Sequence, residues 1–312
     1  MKTAFIFPGQ GSQYVGMGKD LYENYIAARE ILEEANDVLG FDLMKICFEG
    51  PEEELKNTSI TQPAILAVST ACLAILEEKG VKPAAVAGHS LGEYSALLAA
   101  GAIGFPQALE LVRKRGLLME ENAPEGGMAA VLGLEKESVL KACEEASKEG
   151  VVEIANYNCP GQIVIAGESG ALEKAMELAK SFGAKRVIAL QVSGPFHSSL
   201  MTEASRKLEK ELEKIDFSVP RCPVISNVTA DIVSSAKDIG PLLVRQVKSS
   251  VRWEECMERL NSMDVKFALE VGPGKVLTGL GKKIIRDGRL LFNNVEDLAS
   301  LEKTLDNFEE VI

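Results

Sequence analysis

Ala84-Ala85-Val86-Ala87-Gly88-His89-Ser90-Leu91-Gly92-Glu93 decides the fold. An apolar run over 84–88 ends in Gly-x-Ser-x-Gly, and the segment 90–101 that follows has a helical pattern. A short apolar run closed by a glycine turn and followed by a helix is the β-turn-α unit of a buried, mostly parallel sheet. In such a nucleophile elbow the serine sits on a strained strand-to-helix turn, and glycines flank it because side chains there would clash. The hydroxyl is thereby held out at a helix N-terminus, where backbone N–H groups and the dipole favour a developing oxyanion. A glycine-rich turn with an N-capping serine shares the pentapeptide. The strand before it and the helix after it favour the nucleophile.

Working outward, the run 3–7 before Pro8-Gly9 repeats the strand signal, and helices are expected over 61–78, with Pro63 near the first turn, and over 104–121. The pattern then changes. Strand 127–133, helix 135–147, strands 151–156 and 161–166, helix 168–181 and strand 185–190 give the order βαββαβ of a ferredoxin-like unit. Pro124-Glu125-Gly126-Gly127 and Ser193-Gly194-Pro195 supply breakers at its two seams. A helix near 199–213, strands near 223–225 and 266–269, and helices around 273–285 and 296–308 are expected to rejoin the first sheet. The fold class is therefore α/β: a large domain of residues 1–125 and 194–312 with a small domain, 126–193, inserted.

Composition agrees. At about 150 residues per domain, 312 residues make roughly two domains. The 46% hydrophobic and 26% charged residues exclude a disordered tail, a fibrous repeat or a small stapled module. A net charge of −12 counts against nucleic acid or anionic lipid as partner. The six cysteines form no C-x-x-C pair, so no zinc knuckle or disulfide framework is expected and the thiols read as reduced. The apolar run after Lys2 is too short for a signal segment, and no stretch reads as the roughly 18 apolar residues of a membrane span. A cytoplasmic protein is expected, and a monomer, since no oligomerisation seam stands out.

Serine needs a base at neutral pH, and histidine is the usual one. The chain has two. His89, next to the serine at a sharp turn, should point away from the hydroxyl; elimination leaves His197, in Ser193-Gly194-Pro195-Phe196-His197-Ser198 at the seam. No Asp lies between Ser90 and His197, where a hydrolase-order triad would put its acid, so the third member is a backbone carbonyl, a side-chain amide or one of several Glu. On helix 104–121, Arg115 falls on the apolar stripe of Ala108, Leu111, Val112, Leu118 and Met119, whereas Arg113 and Lys114 read as a solvated face. A buried arginine pairs with a carboxylate of the protein or of a ligand. Both readings of Arg115 stand at this stage.

Phe7-Pro8-Gly9-Gln10-Gly11-Ser12-Gln13, Gly88-His89-Ser90-Leu91-Gly92-Glu93, Arg115-Gly116, Asn156-Tyr157-Asn158 with Pro160-Gly161-Gln162, Gly194-Pro195-Phe196-His197-Ser198, Gln246 with Val251-Arg252-Trp253, and Glu270-Val271-Gly272-Pro273-Gly274 follow one another in the order of a known family. Over nearly its whole length the chain resembles the bacterial malonyl-CoA:acyl-carrier-protein transacylases. The resemblance implies a hydrolase-like large domain and ping-pong acyl transfer: Ser90 attacks the malonyl thioester and His197 takes the proton. It further implies that Gln10 and Leu91 give backbone N–H groups to the oxyanion, that Arg115 holds the malonyl carboxylate, and that the Gln246 carbonyl orients the histidine. Phe196 matches the malonyl-selecting form of its motif, and Asn158 and Gln162 match a substrate-side motif of the small domain. No metal or redox cofactor is implied; phosphopantetheine arrives on the substrates, coenzyme A and then acyl carrier protein. A serine hydrolase of the same fold, a polyketide-loading acyltransferase and a non-catalytic docking module are the alternatives.

Acyl carrier proteins are typically acidic, so a chain of net charge −12 needs a local basic patch to receive one. Lys185-Arg186 and Lys282-Lys283 with Arg286 are the compact basic groups outside 113–115. They equally suit helix ends, where cations complement the dipole.

Overall fold

The structure is a computed structural model and describes residues 2–309. β1 (Thr3–Phe7) is followed by α1 (Lys19–Asn24), α2 (Ile26–Leu39), α3 (Leu43–Glu49), α4 (Glu52–Leu55) and the long α5 (Thr58–Glu78). Next come β2 (Ala85–Gly88), α6 (Gly92–Ala99) and α7 (Phe105–Glu121). The middle of the chain forms β3 (Gly127–Leu132), α8 (Lys136–Ala146), β4 (Val152–Cys159), β5 (Gln162–Gly167), α9 (Ser169–Ser181) and β6 (Arg186–Ala189). The remainder gives α10 (Thr202–Leu212), β7 (Val224–Ile225), α11 (Ala236–Val247), α12 (Trp253–Asn261), β8 (Phe267–Val271), α13 (Val276–Ile284), β9 (Leu291–Val295) and α14 (Leu298–Glu309).

Five strands make a parallel sheet in the order β7-β2-β1-β8-β9. β1, β2 and β8 are buried along their whole length, as a parallel sheet covered on both faces requires. Phe7 pairs with Gly88, so the two central strands end side by side. Their following turns, 8–13 and 89–91, therefore meet at the carboxyl edge of the sheet, where open α/β sheets bind ligands.

The second sheet is antiparallel, in the order β4-β5-β3-β6, the ferredoxin-like arrangement expected from the βαββαβ order. Its two faces differ. Ala129, Val131, Ile163 and Ile165 pack with α8 and α9 into a hydrophobic cluster of their own. Met128, Val164 and Ala166 point the other way, into the main core. β4 is tied to the large sheet's side: Tyr157 N–H donates to Val251 O at 2.9 Å and Val251 N–H to Ala155 O at 2.8 Å. Among the described residues β6 pairs with β3 alone, and it is largely exposed.

Several elements depart from the expectations. α5 begins one turn earlier, so Pro63 lies inside the helix rather than near its start. That helix also corrects the membrane reading: its 21 residues hold an 18-residue window of mean hydropathy 1.7, long and apolar enough to span a bilayer, but 83% of that window is buried within the protein. β4 runs on to Cys159, placing Tyr157 and Asn158 in a strand. Helices α1 to α4, α11 and α12 and the edge strand β9 have no counterpart among the expected elements. Arg113 is not on a solvated face; it is half-buried with its guanidinium 4.4 Å from the centre of the Phe41 ring. Lys114 is exposed and pairs with Glu211 at 2.8 Å.

Candidate active site

The elbow's geometry is enforced by contact. A Cβ on Gly88 would lie 1.9 Å from the backbone of Gly92, and one on Gly92 would lie 2.1 Å from Phe7 O in β1. Only glycine fits at either position, and the turn between them puts Ser90 in the left-handed region at φ 51°. Asn227, just past β7, holds that conformation: its Oδ1 accepts from Ser90 N–H and its Nδ2 donates to Gly88 O, both at 2.7 Å.

His197 also has positive φ, 60°, and is 5% exposed. Its Nε2 is 2.8 Å from Ser90 Oγ, and its Nδ1 is 2.9 Å from Gln246 O. A carbonyl only accepts, so Nδ1 carries the proton and Nε2 offers its lone pair to the serine hydroxyl. Burial, helped by the Arg115 charge, pushes the imidazole pKa down to about 3, so the ring is a neutral base at ordinary pH. His89 faces elsewhere: its Nε2 meets Asn158 Oδ1 at 2.9 Å and its ring stands edge-on to Trp253.

Arg115 is 1% exposed, and its partners are neutral. Nη2 donates to Ser90 Oγ at 3.1 Å and to Gln246 Oε1 at 3.0 Å, while the buried Nε has no hydrogen-bond partner among the described residues. The carboxylate in this network is one step removed. Gln246 Nε2 donates to Glu93 Oε2 at 2.6 Å and to Ser90 O at 3.0 Å. Glu93, whose Oε2 also accepts from Asn227 N–H at 3.1 Å, has its pKa raised to about 7 by burial. The guanidinium is thus oriented by an amide rather than neutralised in a direct ion pair.

The backbone N–H groups of Gln10 and Leu91 have no acceptor among the described residues, and both residues line the cavity above Ser90. That cavity measures about 170 Å³. Phe196 and Asn158 line it, 4% and 8% exposed, with Gln62, Met119 and Met128. Gln162 is not brought there: it lies further out on β5, where its Oε1 meets Lys283 Nζ at 3.4 Å. Lys185, Arg186, Lys282, Lys283 and Arg286 are all exposed.

Glu93, Asn227 and Gln62 were not singled out for a role from sequence. Glu93 stood inside the elbow motif, and a buried position on the first turn of α6 was its available signal. Asn227 follows a two-residue strand, too short to mark what comes after it.

Comparison with known proteins gives the chain's family. The family model described as acyl transferase domain matches residues 4–304. A malonyl CoA-acyl carrier protein transacylase of Bacillus subtilis is 48% identical over 312 residues, covering 99% of this chain and 98% of the relative. An acyl carrier protein S-malonyltransferase from Vibrio cholerae superposes with a TM-score of 0.94 at 46% identity, covering 97% and 100% of the two chains. A malonyl-transacylase solved in complex with its type II polyketide acyl-carrier protein superposes at 0.95 with 47% identity, covering 98% and 100%.

Proposed function

The chain belongs to the acyl transferase domain family, and from that premise we propose that it moves the malonyl group from malonyl-CoA to the phosphopantetheine thiol of an acyl carrier protein, supplying fatty-acid elongation. Ser90 Oγ attacks the thioester carbon while His197 Nε2 takes its proton, and the oxyanion is received by the N–H groups of Gln10 and Leu91. Collapse expels the coenzyme A sulfur, which recovers the proton from His197 and leaves malonyl-Ser90. The carrier's thiol then runs the same steps in reverse. The Gln246 carbonyl keeps His197 in the required tautomer, as a carboxylate does in other triads. Phe196 bounds the room at the α-carbon, and Asn158, bonded to His89 Nε2, fixes that ring in the cavity wall.

One observation carries the choice of malonyl: a buried guanidinium with neutral partners 3.1 Å from the nucleophile. An acyl group ending in a carboxylate supplies the missing counter-charge at that place. The acidic carrier would dock on Lys185-Arg186 and on Lys282-Lys283 with Arg286, whose exposure supports the reading. Residues 126–193 serve as an inserted domain, a division supported by their separate sheet and cluster. Six unpaired cysteines support a cytoplasmic setting, and we take the enzyme to act as a monomer.

Incubation with radiolabelled malonyl-CoA followed by gel filtration tests the reading. Label should stay with the protein, discharge to carrier protein, and be lost in Ser90→Ala. Free malonate in place of labelled enzyme would make the protein a hydrolase, and no label at all would leave a docking module. The likeness to a polyketide malonyl-transacylase favours including polyketide carriers among the acceptors.

A further inference from the structure

Where α6 and α7 pack together beside the nucleophile, each buries a polar atom that has no hydrogen-bond partner among the described residues: the Tyr94 hydroxyl and Arg115 Nε. Tyr94 is fully buried, Arg115 is 1% exposed, and Arg115 Cζ lies 5.5 Å from the centre of the Tyr94 ring. A buried polar atom left unpaired carries a free-energy cost, and native interiors keep few of them. The two at this contact are complementary, a donor on Arg115 and an acceptor on Tyr94. Burial raises the Tyr94 pKa to about 12, so the group is a neutral phenol at ordinary pH. Burial also works against the Arg115 charge, and Tyr94 and Glu93 both favour it. Glu93 does so through the Gln246 amide, whereas Tyr94 lies directly against the guanidinium.

In the free enzyme Arg115 Nη2 donates to Ser90 Oγ and Gln246 Oε1. Once Ser90 carries an acyl group, its Oγ is an ester oxygen and a poorer acceptor, and a terminal carboxylate of that group stands a few bonds away. Charge-assisted bonds are roughly twice as strong as neutral ones, so the carboxylate draws the guanidinium fork toward itself. We propose that Tyr94 is a positioning residue for malonyl transfer: its hydroxyl accepts the Arg115 Nε–H when the guanidinium turns from Ser90 to the acyl carboxylate, and so fixes the fork that holds it. The inference rests on the malonyl-transfer reading, since an acyl group without a carboxylate gives the guanidinium nothing to turn to. Tyr94 acts through Arg115 and not on the substrate itself.

Tyr94→Phe deletes the hydroxyl and keeps the ring. Urea unfolding of the free enzyme should show stability unchanged or raised, because an unpaired buried hydroxyl is removed. Transfer from malonyl-CoA to carrier protein should fall about tenfold in kcat/KM, the scale of one charged hydrogen bond, and chiefly through KM, since the carboxylate is held alike in ground and transition states. Transfer from acetyl-CoA should change little. In an Arg115→Ala background the same substitution should leave malonyl kinetics as they were, because the group it acts through is gone. Equal losses with both donors, or a further loss in the Arg115→Ala background, would make Tyr94 structural and overturn the assignment. So would a Tyr94→Phe enzyme that keeps its full preference for malonyl, or one of lower stability, whose hydroxyl must already be bonded in the free enzyme. A wild-type enzyme that transfers no malonyl would overturn the malonyl-transfer reading with it.

Discussion

At the scale of single residues, the site is a set of neutral partners arranged around one cation. Removing that cation should separate the acyl donors: Arg115→Ala should lose malonyl transfer while keeping or gaining acetyl transfer, a change in specificity of about 3 kcal/mol or more, on the scale of a charged hydrogen bond in a dry site. Equal losses with malonyl-CoA and acetyl-CoA would make Arg115 structural. The pH dependence has a worked sign as well. His197, held near 3, stays neutral across the working range and contributes no limb at the usual histidine value. Glu93, raised to about 7, gains a proton as pH falls from 8 to 6 and so loses a negative charge near Arg115. The kcat/KM for malonyl-CoA should therefore rise several-fold on acidification while that for acetyl-CoA does not, and the rise should vanish in Glu93→Gln. A malonyl-specific rise that persists in that variant would assign the titration to another group. Ser90, His197 and Arg115 were legible because their types are conspicuous where they occur: a serine between elbow glycines, one of two histidines, a charge on an apolar stripe. Gln246 acts through a backbone carbonyl, and Asn227 through an amide turned inward. Neither signal exists in a sequence, where a buried amide and a surface one read alike; Gln246 was reached by resemblance alone.

At the scale of elements, the elbow is where strand, turn and helix come closest, and a single methyl group tests it. Gly92→Ala sets a Cβ against Phe7 O of the central strand, a contact that backbone cannot relieve cheaply. Urea unfolding should show a loss of about 3 kcal/mol, the upper end for overpacked cores, and malonyl labelling should fall with it. Near-native stability would mean that β1 can shift away from α6. The β-turn-α units around β1 and β2 and the βαββαβ order were readable because apolar runs, breakers and helical periods followed one another cleanly. The elements that escaped are those whose local signals conflict. α11 contains Gly240 and Pro241, residues that read as a turn, yet its Ile239, Leu243, Gln246 and Val247 are buried. β9 reads Leu-Phe-Asn-Asn-Val, a paired asparagine that suggests a loop, and is held in the sheet by its register with β8. Helices α1, α3 and α4 are short, and the packing of α2, α3 and α4 against α5 is a tertiary fact.

At the scale of the whole molecule, an acidic enzyme that receives an acidic carrier depends on local charge. Charge reversal at Lys282 and Lys283, or at Lys185 and Arg186, should raise KM for carrier protein several-fold at low salt and much less at high salt, where screening shortens the range of the field. Acylation by malonyl-CoA should change little, and unaltered carrier kinetics at low salt would move the docking surface elsewhere. The attachment of the small sheet sets how such a partner is admitted. β4 is fastened through Val251 to the segment that also bears Gln246, whereas β6 is bound along one side only. Met128, Val164 and Ala166 anchor β3 and β5 to the main core as well, which leaves β6 the strand with the fewest ties. Amide hydrogen exchange should accordingly be faster in β6 than in β4; equal protection would mean that β6 is held by more than its ladder with β3. A margin with one ladder to open can loosen alone, and the 2.8 Å between Ser90 and His197 is set on the better-tied side of the sheet.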